Sequence, residues 1–163
     1  MRLDDFNALP DSAAREQLSG CLHVERWVDT VLLGRPYADL GALTAVASTA
    51  AGSLSDDELA AALSRHPRIG ERAGAGHDAA HSSREQAGVD HGDADVTARL
   101  AAGNRAYEER FDRVFLIRAA GRDAEEILAE LTRRLGHDDA TEREETVTQL
   151  REIALLRLEG MVD

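Results

Sequence analysis

The stretch DAEEILAELTRRL, residues 123–135, decides the fold class. Asp123 and Glu126 stand three apart, the spacing of a capping box in which each side chain satisfies the other's exposed backbone N–H. Ile127, Leu128, Leu131 and Leu135 then recur at intervals of one, three and four, so they line one face of a helix. A strand would need strict alternation. None competes here.

Working outward from this helix, the same signature returns. REETVTQLREIALLRLEG, residues 143–160, reads as the last helix, with Thr141 and Glu144 as its capping pair. Its apolar stripe is Val147, Leu150, Ala154, Leu158 and Met161, at about 100° per residue. Towards the N-terminus, VFLIRAAGR (114–122) is apolar and of undecided type, ended by Gly121. A long helix is expected from Val96 to Phe111. Ser55 and Glu58 form a second capping box, opening a helix that runs to His66. A helix from Ala38 to Ala51 carries Leu40, Leu43, Val46 and Ala47. Trp27, Val28, Val31 and Leu32 mark another, stopped by Gly34 and Pro36. The first covers AAREQLSGCL, with Asp11 or Ser12 as its cap. The expectation is an all-α fold, a single domain over residues 1–163 with seven or eight helices in one bundle.

Composition agrees. Of 163 residues, 43% are hydrophobic but only 4% aromatic, so the core is built from Leu, Ala, Val and Ile, a palette that suits helix packing. The 31 acidic against 19 basic side chains give a net charge of −12, which argues against nucleic acid or an anionic membrane as partner. A small anion is still admissible where a few arginines gather. Cys21 is the single cysteine, excluding an internal disulfide. The segment MRLDDFNALP has acids and no apolar run, so no signal peptide is expected there. These features predict a soluble, cytoplasmic protein.

Three places depart from a bland bundle. In RHPRIGER (65–72) a helix stops by presenting His66, followed by Pro67 and Gly70. Structurally, a histidine at a helix C-terminus suits the macrodipole, and Pro and Gly are ordinary stop signals. Functionally, it is the side chain best fitted to move protons near neutral pH. Arg157 lies within the apolar stripe of the last helix, near Leu150 and Ile153. It either snorkels to the edge or faces a cavity that holds an anion. In HDAAHSSREQAGVDHG, His77, His81 and Glu85 are spaced as metal ligands would be on a continuous helix, with His66 and His91 nearby. Gly76 and the Ser-rich stretch speak against such a helix and for a surface loop with histidines, and Ser82 with Glu85 also has capping-box spacing.

Taken in order, the motifs HPRIGER (66–72), SSREQAGV (82–89), NRAYEERF (104–111), VFLIRAAGRDAEEIL (114–128) and REIALLRL (151–158) resemble one family. It is the 2-oxo-4-hydroxy-4-carboxy-5-ureidoimidazoline (OHCU) decarboxylases of urate breakdown, and the resemblance covers nearly the whole chain. It implies an all-helical homodimer that works without metal or organic cofactor on a small ureidoimidazoline. It implies that His66 is the catalytic histidine and Glu85 its paired glutamate. Pro67, Ser82, Gln86 and Arg157 match substrate-contacting positions, and Leu116–Ala120 a segment whose backbone meets substrate, with Ile117 as the nearest single match. The element GCLHVERW departs from the family pattern. The ending GMVD carries no peroxisomal address, so a cytoplasmic location is again expected. A metal-dependent hydrolase using His77, His81 and Glu85, and a non-catalytic helical interaction module, are the competing readings.

Overall fold

Both capping boxes close. Glu58 accepts the Ser55 N–H at 2.9 Å while the Ser55 hydroxyl accepts the Glu58 N–H at 3.1 Å. Asp123 and Glu126 exchange the equivalent bonds at 2.9 and 2.8 Å. The computed structural model describes residues 1–71, 81, 84–89 and 94–163, and among them every regular element is a helix. In chain order these are α1 (Leu3–Ala8), α2 (Asp11–Cys21), α3 (Glu25–Leu33), α4 (Leu40–Ala51), α5 (Asp56–Leu63), α6 (Ala94–Phe111), α7 (Ala124–Leu135) and α8 (Asp139–Met161). The all-α expectation holds.

The differences from expectation lie at helix ends. The six-residue α1 is too short to show a period, and only Phe6 of it is buried. α2 starts at Asp11 behind Pro10, whose ring fixes φ near the observed −54°, so neither Asp11 nor Ser12 caps it. α4 starts at Leu40, because the Asp39 carboxylate accepts the Ala42 N–H at 2.7 Å and takes the cap itself. α5 ends at Leu63 and not at His66; a turn follows, closed by the His66 N–H on the Leu63 carbonyl at 3.0 Å. α8 starts before Thr141, since the Asp138 carboxylate accepts the Thr141 N–H at 2.7 Å. Residues 114–119 form neither helix nor turn, and Gly121 follows with φ +77°.

Backbone contacts divide the chain into two compact units, residues 1–62 with 150–163, and residues 63–149. In the first, α2 packs on α3 and α3 on α4. Phe6, Leu18, Trp27, Val31, Leu43, Ala47, Leu150 and Leu158 are fully or almost fully buried. Burying each large side chain is worth about 1.5–3 kcal/mol. The Trp27 indole N–H keeps a partner inside this core, the Ala47 carbonyl at 2.9 Å. The two chain ends belong to this unit and are tied together, Leu3 N–H to Asp163 O at 3.2 Å and Asp163 N–H to Met1 O at 2.9 Å.

The second unit is built where α6 packs along α7. Ile69, Val96, Leu100, Tyr107, Phe115, Ile117, Ile127 and Leu131 share its core. A Cβ at Gly103 would sit 2.3 Å from Leu131 Cδ2, so the missing side chain is what lets the two helices approach. Three of the six aromatics of the chain meet here: the Tyr107 ring lies 4.8 Å from Phe111 and 5.1 Å from Phe115. Among the described residues no helix is long and apolar enough to cross a membrane.

Candidate active site

The second unit opens with the turn His66–Gly70. His66 is 8% exposed, and Pro67 behind it is buried as well. Ile69 enters the core, and Gly70 takes φ +89°, a conformation that a Cβ makes costly. Three side chains fix this turn. Gln86 accepts the Gly70 N–H through Oε1 at 3.0 Å. Asn104, from α6, donates through Nδ2 to the Ile69 carbonyl at 3.0 Å. Arg68 forks onto Glu108, also on α6, at 2.5 and 3.1 Å. The last pair is half in solvent and contributes only about 1 kcal/mol or less, so the two amides do most of the holding. Asn104, which the sequence shows only as part of a motif, is thus a builder of the turn.

Glu85 is half-buried and adjoins Gln86, so the Gln86–Gly70 bond brings its segment to the turn that His66 begins. The Gln86 amide nitrogen donates to no described residue and is available as a hydrogen-bond donor. Ser82, His77 and His91 lie outside the described residues. His81 is half-buried with its Nδ1 3.4 Å from the Arg84 guanidinium. Among the described residues, no three His, Cys, Asp or Glu side chains gather as metal ligands would.

The segment around Ile117 is held by a buried polar network. Arg134 is completely buried and donates through Nη1 to the Leu116 carbonyl at 2.7 Å. Its Nε and Nη2 reach Glu142 Oε1 at 2.8 and 2.5 Å, and the Tyr107 hydroxyl donates to the same oxygen at 2.6 Å. Glu142 Oε2 lies 3.0 Å from His137 Nδ1. The guanidinium also stacks 4.6 Å from the centre of the Phe115 ring. Burial by itself would raise the Glu142 pKa, but the donors Arg134 and Tyr107 and the positive charge outweigh it and hold the carboxyl below its usual 4.5. Burial, reinforced by Glu142, pushes the Tyr107 hydroxyl above its usual 10.0. On the other side of Ile117, the Arg118 N–H donates to Gln149 Oε1 at 2.8 Å. Sequence reasoning missed Arg134, Glu142 and Gln149. The signal was present: Arg134 stands three residues after Leu131 and seven after Ile127, inside the apolar stripe of its helix.

Arg157 belongs to the first unit. It is 4% exposed, and its Nη1 donates to the Gly20 carbonyl at 3.2 Å, so it does not snorkel. That unit also contains a hollow of about 500 Å³ between Arg15, Ser19, His23 and Glu58. A hollow of about 370 Å³ in the second unit lies between the Arg68–Glu71 stretch and α6, beside Asn104. Neither hollow is lined by His66, Glu85, Ile117 or Arg157.

The sequence model of the OHCU decarboxylase family matches residues 7–159. The chain belongs to the OHCU decarboxylase family. A decarboxylase of that name from Amia calva is 33% identical over 132 residues, covering 79% of this chain and 75% of the relative. One from Haloferax volcanii is 25% identical over 159 residues, 97% of this chain and 94% of that one. The uric acid degradation bifunctional protein of Bacillus sp. (strain TB-90) is 24% identical over 160 residues, 98% of this chain but only 32% of its own length. Among solved structures, OHCU decarboxylase in the presence of (S)-allantoin superposes with a TM-score of 0.75 at 21% identity, over 94% of this chain and 98% of that one. (S)-allantoin synthase gives 0.76 at 17% identity, over 100% of this chain and 55% of the other. At these identities the structural likeness speaks for the fold of an OHCU decarboxylase.

Proposed function

We propose that the protein is a carbon–carbon lyase that decarboxylates 2-oxo-4-hydroxy-4-carboxy-5-ureidoimidazoline to (S)-allantoin in urate degradation. One observation carries the reading: the OHCU decarboxylase family match runs from residue 7 to 159 and so contains every residue assigned below.

The reaction explains the residue types. Ring carbon 4 bears both the hydroxyl and the carboxylate, and carbon 5 bears the ureido group on a C=N bond. When the bond to CO2 breaks, its electron pair forms a 4,5 double bond, and the C=N pair moves onto nitrogen, which takes a proton. The 4-hydroxyl then loses its proton to become the carbonyl, and carbon 5 takes one from a single face. The ring is its own electron sink, so the protein's task is orientation and one stereospecific proton.

In this reading His66 delivers that proton to carbon 5. Imidazole is the side chain best fitted to give and accept a proton near neutral pH. Glu85 orients the imidazole or holds the 4-hydroxyl. Arg157 supplies a planar guanidinium fork for ring or carboxylate oxygens, which a net charge of −12 makes necessary for an anionic substrate. Pro67 shapes the wall beside His66. Ser82, the free Gln86 amide nitrogen and the backbone at Ile117 read the urea and ring amides. The protein acts as a cytoplasmic homodimer formed from single catalytic domains; light scattering behind a sizing column tests the dimer.

The test of the activity is to generate OHCU fresh and follow its disappearance with and without protein. A protein-dependent rate well above the spontaneous one is expected. A rate that stays spontaneous at micromolar enzyme would remove the proposal.

A further inference from the structure

We infer that Arg134 and Gln149 are positioning residues: they take the backbone groups that flank Ile117 and thereby leave the N–H and C=O of Ile117 itself to the substrate. The inference rests on the decarboxylase reading of this segment and names what aims it.

The geometry is local to the second unit. Between residues 114 and 119 the chain forms neither helix nor turn. Each residue of such a segment must find partners for its own N–H and C=O, since no helix or ladder supplies them. The Leu116 carbonyl is held by Arg134 at 2.7 Å and the Arg118 N–H by Gln149 at 2.8 Å. The groups that flank Ile117 are thus both engaged. Neither the N–H nor the C=O of Ile117 itself has a hydrogen-bond partner among the described residues. Ile117 is only 2% exposed. An adjacent donor and acceptor, buried and unmatched, are rare because each costs as much as a lost hydrogen bond.

The chemistry of this pair selects its ligand. One N–H beside one C=O matches a neutral group that offers a carbonyl beside an N–H, which is the edge of a ring amide or of a ureido arm. A carboxylate has no N–H to give and would leave the Ile117 carbonyl unmet. The segment therefore takes the urea-like part of the substrate and leaves the carboxylate to another group. Arg134 can serve as a fixed clamp because Glu142, Tyr107 and the Phe115 ring leave its guanidinium no other arrangement.

The experiment uses 15N-labelled full-length protein titrated with (S)-allantoin, together with steady-state kinetics of Gln149→Met and Gln149→Glu. Methionine keeps the length and removes the acceptor; glutamate keeps an acceptor. The expected result is a shifted Ile117 amide resonance in the wild type. In Gln149→Met that shift shrinks and kcat/KM falls at least tenfold, chiefly through KM, and Gln149→Glu recovers much of the loss. Should Gln149→Met not fold, the wild-type titration and Gln149→Glu still decide. Turnover with an unmoved Ile117 amide overturns the inference, as does a folded Gln149→Met variant with unchanged KM. A wild type that shows the Ile117 shift but no turnover of OHCU supports the positioning and removes the decarboxylase reading; neither shift nor turnover removes both.

Discussion

Gln86 Oε1 accepts the N–H of Gly70 at 3.0 Å, joining the residue beside Glu85 to the turn that starts at His66. This neutral hydrogen bond is one of the ties that hold the segments of the two proposed catalytic side chains together, beside the packing of Val89 and Ile69 in one core. Gln86→Leu leaves the Gly70 N–H unmet and is expected to cost about 1–3 kcal/mol of stability. It should cost more in function, with kcat/KM falling about a hundredfold. Gln86→Glu retains the acceptor and should lose less. Urea unfolding and steady-state kinetics on the same preparations check both; equal kcat/KM for the two variants would contradict this role.

Glu142 is the only carboxylate within reach of the buried Arg134 guanidinium among the described ion pairs. Glu142→Gln leaves that cation without a counter-charge in the core, and a loss of about 3–5 kcal/mol is expected. Tyr107→Phe removes one donor at 2.6 Å and should cost about 1–3 kcal/mol. Chemical denaturation gives both numbers. Glu142→Gln should be more harmful than Tyr107→Phe, and the reverse order would contradict the account of this network.

The same network sets a pH dependence of stability. Glu142 is held below its usual 4.5 in the folded protein, so its contribution is present above that pH and is lost as pH falls through the folded value. Tyr107 is pushed above its usual 10.0, so its contribution is present below that pH and is lost as pH rises beyond it. Unfolding midpoints should form a plateau between about pH 5 and 9, with losses at both ends. Glu142→Gln should flatten the acid limb. An acid limb unchanged in that variant would assign it to other carboxylates.

The helices were legible because their signals are local. The Ser55–Glu58 and Asp123–Glu126 boxes need three residues of context, and both form. Helix ends were less legible, because Asp39 and Asp138 compete with neighbours of equal propensity and only geometry chooses between them. Arg157 announced itself as a charge in an apolar stripe, and it is buried. Arg134 carried the same mark, but its meaning lies in Leu116 and Glu142, eighteen and eight residues away, which no periodicity connects. The role of Gln86 as a brace for Gly70 was invisible for the same reason.

Arg157 donates to the Gly20 carbonyl at 3.2 Å from a nearly closed environment, which limits what can replace it. Arg157→Lys keeps the charge but loses the planar fork. The expected outcome is a fall in kcat/KM of at least a hundredfold with unaltered helical circular dichroism. Activity within twofold of wild type would show that the substrate does not use the fork.

The central claim is that His66 supplies the stereospecific proton to carbon 5. The most direct measurement is the optical activity of allantoin formed from freshly generated OHCU by wild type and His66→Ala in parallel. The account predicts (S)-allantoin from the wild type, and racemic product at the spontaneous rate from His66→Ala with its helical spectrum intact. (S)-allantoin formed by His66→Ala at the wild-type rate would contradict it.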